Sequence, residues 1–139
     1  MKTALTFKCL IIVLFLNVHP AFTQVEAIVN KEADKLINKG AVELKKGNYI
    51  DALEYYTKAE LVTDRNDPEK LFLVKNNIGI CYGYLSNYGE ALRTYSEALK
   101  IAEDNDLVED QINVMCNIGI LYSYEKNYNS AINIYEKAL

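Results

Sequence analysis

The chain has 139 residues, of which half are hydrophobic and 24% are charged, as in an ordinary globular domain. It carries 15 basic and 19 acidic residues, a formal net charge of −4, and a single histidine, His19. An acidic chain without a basic cluster is poorly suited to nucleic acid, because phosphate contacts need Lys and Arg, and equally poorly suited to anionic lipid. We therefore predict no nucleic-acid partner and no direct membrane binding by the folded domain.

The first segment has the composition of a secretory signal peptide. Lys2 and Lys8 lie on its charged side, residues 9–18 form an apolar run, and the small residues Ala21 and Thr23 have the spacing that a signal peptidase requires. The apolar run is short for a membrane span, so an uncleaved anchor is the less favoured alternative. We predict cleavage near Thr23, a mature domain over residues 24–139, and a periplasmic or secreted location.

Removal of residues 1–23 takes away the single histidine and two of the basic residues, which limits the reactions that the mature chain could catalyse. The remainder has 13 basic against 19 acidic residues, a net charge of −6, and it has no histidine. Nucleophile pairs that need histidine, and most zinc sites, are therefore excluded. We find no glycine-rich phosphate loop and no calcium-binding loop in the sequence. We predict no catalytic residue, no cofactor and no metal site, and hence no enzyme.

A repeat with a period of 39–40 residues dominates the rest of the chain. A shift of 40 residues aligns 77–99 with 117–139 at 12 identical positions of 23, and a weaker copy lies at 38–60. The copies share a Gly followed at fixed distances by Tyr, Ala, Tyr and Ala. In the second copy these residues are Gly79, Tyr88, Ala91, Tyr95 and Ala98.

Each copy predicts two helices, because apolar residues recur at spacings of three and four. Gly47 and Ser86 are expected to end the first helix of a pair. We expect the shared Gly and Ala to let antiparallel helices approach closely, with the Tyr rings filling the space beside them. Residues that commonly cap helix starts stand between the predicted helices: Asn48, Asp67, Asn87 and Asp106.

This pattern resembles the tetratricopeptide repeat over residues 33–139, in the long-period form of exported bacterial proteins. The resemblance implies an all-α fold of stacked antiparallel helix pairs, a right-handed α-solenoid of about three repeats. Their approximate limits are 33–66, 72–105 and 112–139, the last incomplete. The chain departs from the family in having Leu36, Lys75 and Met115 where a bulky aromatic residue is usual. The extra residues per repeat predict longer helices or a longer loop between repeats.

The resemblance also implies a binding surface, since the stacked first helices of such arrays form a concave face that takes extended or helical peptides. The positions that line this face give a candidate groove: Asn38, Asn77, Ile80, Tyr84, Asn113, Asn117, Ile120 and Tyr124. An Asn amide donates and accepts at once, so the recurring asparagines suit a peptide backbone. The alternative is that they stabilise the helix pairs, and the two tyrosines likewise line the groove or belong to repeat packing.

Some members of the family grip the terminal carboxylate of a partner with Lys, Asn and Arg. Asn77 alone matches that set, so we do not predict a partner held in this way. Cys81 and Cys116 stand at different depths on neighbouring first helices, about 7 Å apart along the axis, which is awkward for a disulfide. We predict that both thiols are free and buried.

The function favoured by the sequence is an exported protein–protein interaction module that binds a peptide or protein on the concave face. One alternative is the N-terminal extracytoplasmic sensing part of a larger signalling protein, a kinase or a helix-turn-helix regulator. Another is a subunit of an outer-envelope assembly. The apolar side of the last predicted helix has no following repeat to cover it, so self-association through that helix is also predicted.

Overall fold

A computed structural model describes the backbone of residues 2–139 and the side chains from Gln24 onward. The predicted signal peptide, residues 1–23, lies outside the part of the chain whose side chains are described, and its cleavage remains a prediction. The described residues form six helices: α1 (Lys2–Lys46), α2 (Tyr49–Val62), α3 (Pro68–Tyr84), α4 (Tyr88–Asp104), α5 (Val108–Tyr124) and α6 (Tyr128–Ala138).

The helices pack as consecutive pairs. Helix α1 packs on α2, α3 on α4 and α5 on α6, and successive pairs join through α2 with α3 and α4 with α5. Helix α3 also touches α5, so the first helices of neighbouring pairs lie side by side. The prediction of an all-α fold built from stacked antiparallel helix pairs is confirmed.

The turn inside each pair has the same backbone conformation. Gly47, Ser86 and Lys126 lie in the left-handed region, with φ of 81°, 59° and 59°. One residue further on, the backbone N–H of Asn87 donates to the Tyr82 carbonyl at 2.9 Å, which closes the end of the helix. The predicted helix ends at Gly47 and Ser86 are therefore confirmed.

The connection between α4 and α5 corrects the sequence-based prediction. Asp106 was expected to cap the start of α5, but it has φ 56° and ends α4, while the N–H of Leu107 donates to the Ala102 carbonyl at 2.9 Å. Helix α5 then begins at Val108 with Leu107 in the N-cap position. Asp106 cannot take the N-cap position because the left-handed turn that closes α4 already uses it.

The extra residues of the long repeat lie mainly in the helices. Helices α3, α4 and α5 each have 17 residues, and the connection from α4 to α5 spans only residues 105–107. Because a helix lengthens with each added residue, the longer first helices present a longer surface beside their neighbours.

Among the side chains from Gln24 onward, the core consists of two clusters, one at each junction between successive pairs. Each is centred on a buried tyrosine of the second helix, and each tyrosine lies against a glycine of the first helix. A Cβ added to these glycines would lie 3.0 Å or less from the ring. The two pairs in the clusters are Gly40 with Tyr56 and Gly79 with Tyr95, and Gly119 contacts the half-buried Tyr135 of α6 in the same way. The repeated glycine is therefore required by close packing.

Candidate functional site

A groove of about 390 Å³ opens between α3 and α5, with its floor on the first turns of α4. The side-by-side contact of the two first helices forms its long walls. Most of its lining comes from apolar and aromatic side chains. The lining residues are Ile80, Gly83, Tyr84, Ser86, Tyr88, Tyr95, Asn117, Ile120, Leu121 and Tyr124.

The groove brings together five of the residues predicted from the repeat pattern: Ile80, Tyr84, Asn117, Ile120 and Tyr124. Three of them are well exposed, with 61% of Tyr84, 69% of Tyr124 and 47% of Ile120 accessible to solvent. Large apolar side chains that remain exposed on two facing helices are available for contact with a partner.

The asparagines take part in bonds within the protein. The Asn117 amide donates from Nδ2 to Oδ1 of Asn76 at 2.9 Å, which joins α5 to α3. The Asn77 amide donates to the Leu73 carbonyl of its own helix at 2.8 Å. Asn117 therefore holds two first helices together, and its amide oxygen and second N–H remain to bond a ligand.

Three predicted residues lie away from this groove. Asn38 lines a second cavity, of about 670 Å³, which is formed by α1 and Tyr55 of α2. Asn113 is exposed on α5, and Asn77 is half-buried on α3, and neither lines the groove. The asparagines thus do not form one continuous row along a single groove.

The groove also contains residues outside the predicted set, among them Tyr88, Tyr95 and Leu121. The two tyrosines belong to the repeated skeleton and were interpreted as packing residues. Tyr95 is indeed 4% exposed, and burial raises its pKa well above the ordinary value for tyrosine. Half-buried Tyr88 has one side open to the groove, which the repeat pattern alone does not reveal.

The groove is electrically neutral. None of its lining residues is charged, although the chain as a whole carries a net charge of −4. Ligand selection in the groove therefore depends on shape, apolar contact and hydrogen bonding.

Charged side chains gather instead at Lys75, in the position where the resemblance predicts an aromatic residue. Its ammonium lies 2.7 Å from Glu60 of α2 and 2.5 Å from Glu97 of α4. The Lys75 ammonium holds the pKa of the Glu97 carboxyl below its usual range. An ion-pair network therefore joins the first two repeats at a place that an aromatic ring normally fills.

The two cysteines beyond the predicted signal peptide form no disulfide. Cys81 is buried and Cys116 is half-buried, so the second is more accessible than predicted. Across residues 24–139, no group of three metal-ligating side chains lies close enough to hold a metal ion. None of the helices, as far as the structure describes them, combines the length and apolar character that a membrane span needs.

Stacked helix pairs with a groove between successive first helices define an α-helical repeat protein. The sequence model of the family described as Tetratricopeptide repeat matches residues 31–104 and 70–139. The chain belongs to the tetratricopeptide repeat family. The predicted family is confirmed, and its exported type stays a prediction. A search of curated proteins gives no match.

Solved structures share the fold at low sequence identity. Aspartyl phosphate phosphatase F from Bacillus subtilis superposes with a TM-score of 0.75 at 16% identity, over 79% of this chain and 29% of that one. The TPR domain of Arabidopsis FLU gives 0.71 at 16% identity, over 79% of this chain and 93% of that domain. BtubC from P. vanneervenii gives 0.61 at 19% identity, over 85% of this chain and 56% of that protein.

Proposed function

We propose that this protein is an exported interaction module that binds a peptide or protein segment in the groove between α3 and α5. The family and its fold suggest a protein–protein interaction module. The observation that supports this groove as the site is its neutral lining with three exposed apolar side chains, Tyr84, Ile120 and Tyr124. A contiguous apolar surface of this kind is usual where a partner binds.

A peptide-display selection against the purified protein tests the proposal. We expect the selected peptides to bind Ile120→Asp at least roughly tenfold more weakly than the wild type, because the variant buries an unpaired charge under the ligand. Leu61→Asp is the matched control, since Leu61 is 81% exposed on α2 and lies outside the groove. Equal binding by the wild type and Ile120→Asp would exclude the groove as the site.

Export is the second element of the proposal, and the composition of residues 1–23 supports it. The test is the intact mass of the native protein from the envelope fraction of its own cells. A mass below 15.8 kDa by the weight of residues 1–23 is expected. The full 15.8 kDa would contradict cleavage. A much larger mass would favour the alternative of a sensing part within a longer signalling protein.

Self-association through α6 is the third element. Its apolar side chains are more exposed than their equivalents in α4, with 61% of Tyr128 and 56% of Ile132 accessible. A second copy that covers them would bury the apolar surface that the following helix pair covers on α2 and α4.

A further inference from the structure

Within the array, one tyrosine of a first helix stacks on a tyrosine of the preceding second helix. Tyr49 begins α2 and Tyr84 ends α3, and their rings are parallel within 5° with centroids 4.4 Å apart. Tyr84 keeps 61% of its side chain exposed, so the stack fixes one face of the ring and leaves the other toward the groove. Tyr49 thus shows that a tyrosine in the first turn of a second helix can stack face to face with another aromatic ring.

The next repeat has the same two tyrosines in a different arrangement. Tyr88 begins α4 and corresponds to Tyr49, and Tyr124 ends α5 and corresponds to Tyr84. Among the side chains from Gln24 onward, the stacked pair is Tyr49 with Tyr84. Tyr88 and Tyr124 instead both line the groove of about 390 Å³, and Tyr124 is 69% exposed. The second junction has an open space where the first has a stack.

We infer that the groove takes an aromatic side chain of the partner, which stacks on Tyr88 beside Tyr124 as Tyr84 stacks on Tyr49. This inference rests on the proposed function and specifies the ligand. The lining contains no charged residue, so the segment around the aromatic anchor is uncharged. The free oxygen and N–H of the Asn117 amide lie in the same groove and suit the backbone of that segment. Tyrosine pairs with an aromatic ring more favourably than with an aliphatic group of equal size.

Three capped heptapeptides of sequence Gly-Ser-Asn-X-Asn-Ser-Gly, with X as Phe, cyclohexylalanine or Glu, test the inference. Each is titrated into the ¹⁵N-labelled protein while the amide resonances are followed. The Phe peptide is expected to shift resonances of 80–88 and 117–124. We expect it to bind about threefold to tenfold more tightly than the cyclohexylalanine peptide, which has nearly the same size but no ring electrons. The Glu peptide is expected to bind most weakly.

Tyr88→Leu and Tyr124→Leu are each expected to remove the preference for Phe over cyclohexylalanine. Tyr124→Leu changes an exposed side chain, so it keeps the test valid if Tyr88→Leu disturbs the fold. Tyr128→Leu is the matched control, because Tyr128 holds the position of Tyr88 in the last repeat but lies outside the groove. The control is expected to keep the preference.

The outcomes separate the inference from the proposed function. Equal binding of the Phe and cyclohexylalanine peptides, or tightest binding of the Glu peptide, overturns the aromatic anchor and leaves the groove as the site. The same holds if display-selected peptides without an aromatic residue depend on Ile120. If the selected peptides shift only resonances outside the groove, or if neither they nor the Phe peptide bind, both are overturned. If the selected peptides bind in the groove and the Phe peptide does not, only the aromatic anchor is overturned.

Discussion

At the scale of single residues, the repeated glycine of each first helix is explained by the ring that it faces. A Cβ at position 79 would lie 2.5 Å from the Tyr95 ring, a distance that real contacts do not reach. Tyr95 is 4% exposed, so its ring would have to leave its packed position to make room for the added methyl group. We expect Gly79→Ala to destabilise the protein by about 1–3 kcal/mol, the usual cost of overpacking a core, measured by urea denaturation.

Gly89 provides the matched control for this substitution. It lies in the first turn of α4, and a Cβ added there meets nothing within 4 Å. We expect Gly89→Ala to be neutral or to stabilise by up to about 1 kcal/mol, because alanine favours the helix. If both variants lose the same stability, close packing against Tyr95 is not the reason for the glycine.

The buried thiol of Cys81 makes stability depend on pH. Burial raises the pKa of Cys81 from 9.0 to about 11, so the folded chain holds this proton more tightly than the unfolded chain does. The resulting stabilisation is complete below pH 9.0 and is lost as the pH rises toward about 11. We expect the wild type to lose at most about 3 kcal/mol more than Cys81→Ala over this window, measured by urea denaturation at each pH.

The loss of stability in Cys81→Ala must be subtracted from that in the wild type, because Tyr56 also titrates in this pH range. Burial, and to a smaller extent the charge of Cys81, raises the pKa of Tyr56 to about 12, so Tyr56 also weakens the fold at high pH in both proteins. An identical alkaline loss in the wild type and Cys81→Ala would show that the Cys81 thiol does not contribute.

At the scale of helices, the N-caps differ although their residues look equivalent. The Asp67 carboxylate accepts the backbone N–H of Lys70 at 3.0 Å, whereas Asn87 makes no such bond at the start of α4. We expect Asp67→Ala to cost about 1 kcal/mol and Asn87→Ala less than about 0.5 kcal/mol in urea denaturation. Equal losses would contradict a role for the capping bond.

The helices show which features follow from sequence and which do not. Helix pairs, their ends at Gly47 and Ser86, and the tyrosine packing follow from spacing, because local backbone and repeat geometry determine them. Asp106 was assigned wrongly because the same residue type suits a helix start and a left-handed helix end. The ion pairs of Lys75 depend on contacts with helices far away in the sequence.

In the candidate site, too, some features could be predicted from the sequence and others could not. The resemblance to the family implies that Ile80, Tyr84, Ile120 and Tyr124 share one face, and the structure gathers them in one groove. The stack of Tyr84 on Tyr49 and the open space beside Tyr88 depend on side-chain contacts between neighbouring helix pairs. A repeat pattern that is identical at both junctions does not contain that difference.

At the scale of the whole molecule, the first helix of the first repeat differs in polarity from the first helices of the later repeats. Helices α3 and α5 place valines, Val74 and Val114, against the preceding second helix, and both are fully buried. The equivalent residue of α1 is the exposed Lys35. Lys39 likewise stands where the later copies have buried isoleucines, and its ammonium lies 5.4 Å from the Tyr55 ring centroid. Head-to-tail stacking would desolvate both lysines, so the self-association proposed through α6 would pair α6 of one copy with α6 of the other.

Local stability is expected to differ between α4 and α6, because the two helices bury different numbers of residues. Helix α4 has five buried residues within 17, whereas the described part of α6 buries only Ala131 within 11. Opening free energies track buried apolar contact, so α6 is expected to exchange its amide hydrogens faster than α4 at low protein concentration. Hydrogen-exchange mass spectrometry at several concentrations measures this, and equal protection of the two helices at the lowest concentration would contradict it. If copies join through α6, its protection rises with concentration in the wild type and not in Ile132→Asp, where a charge replaces a side chain that is 56% exposed.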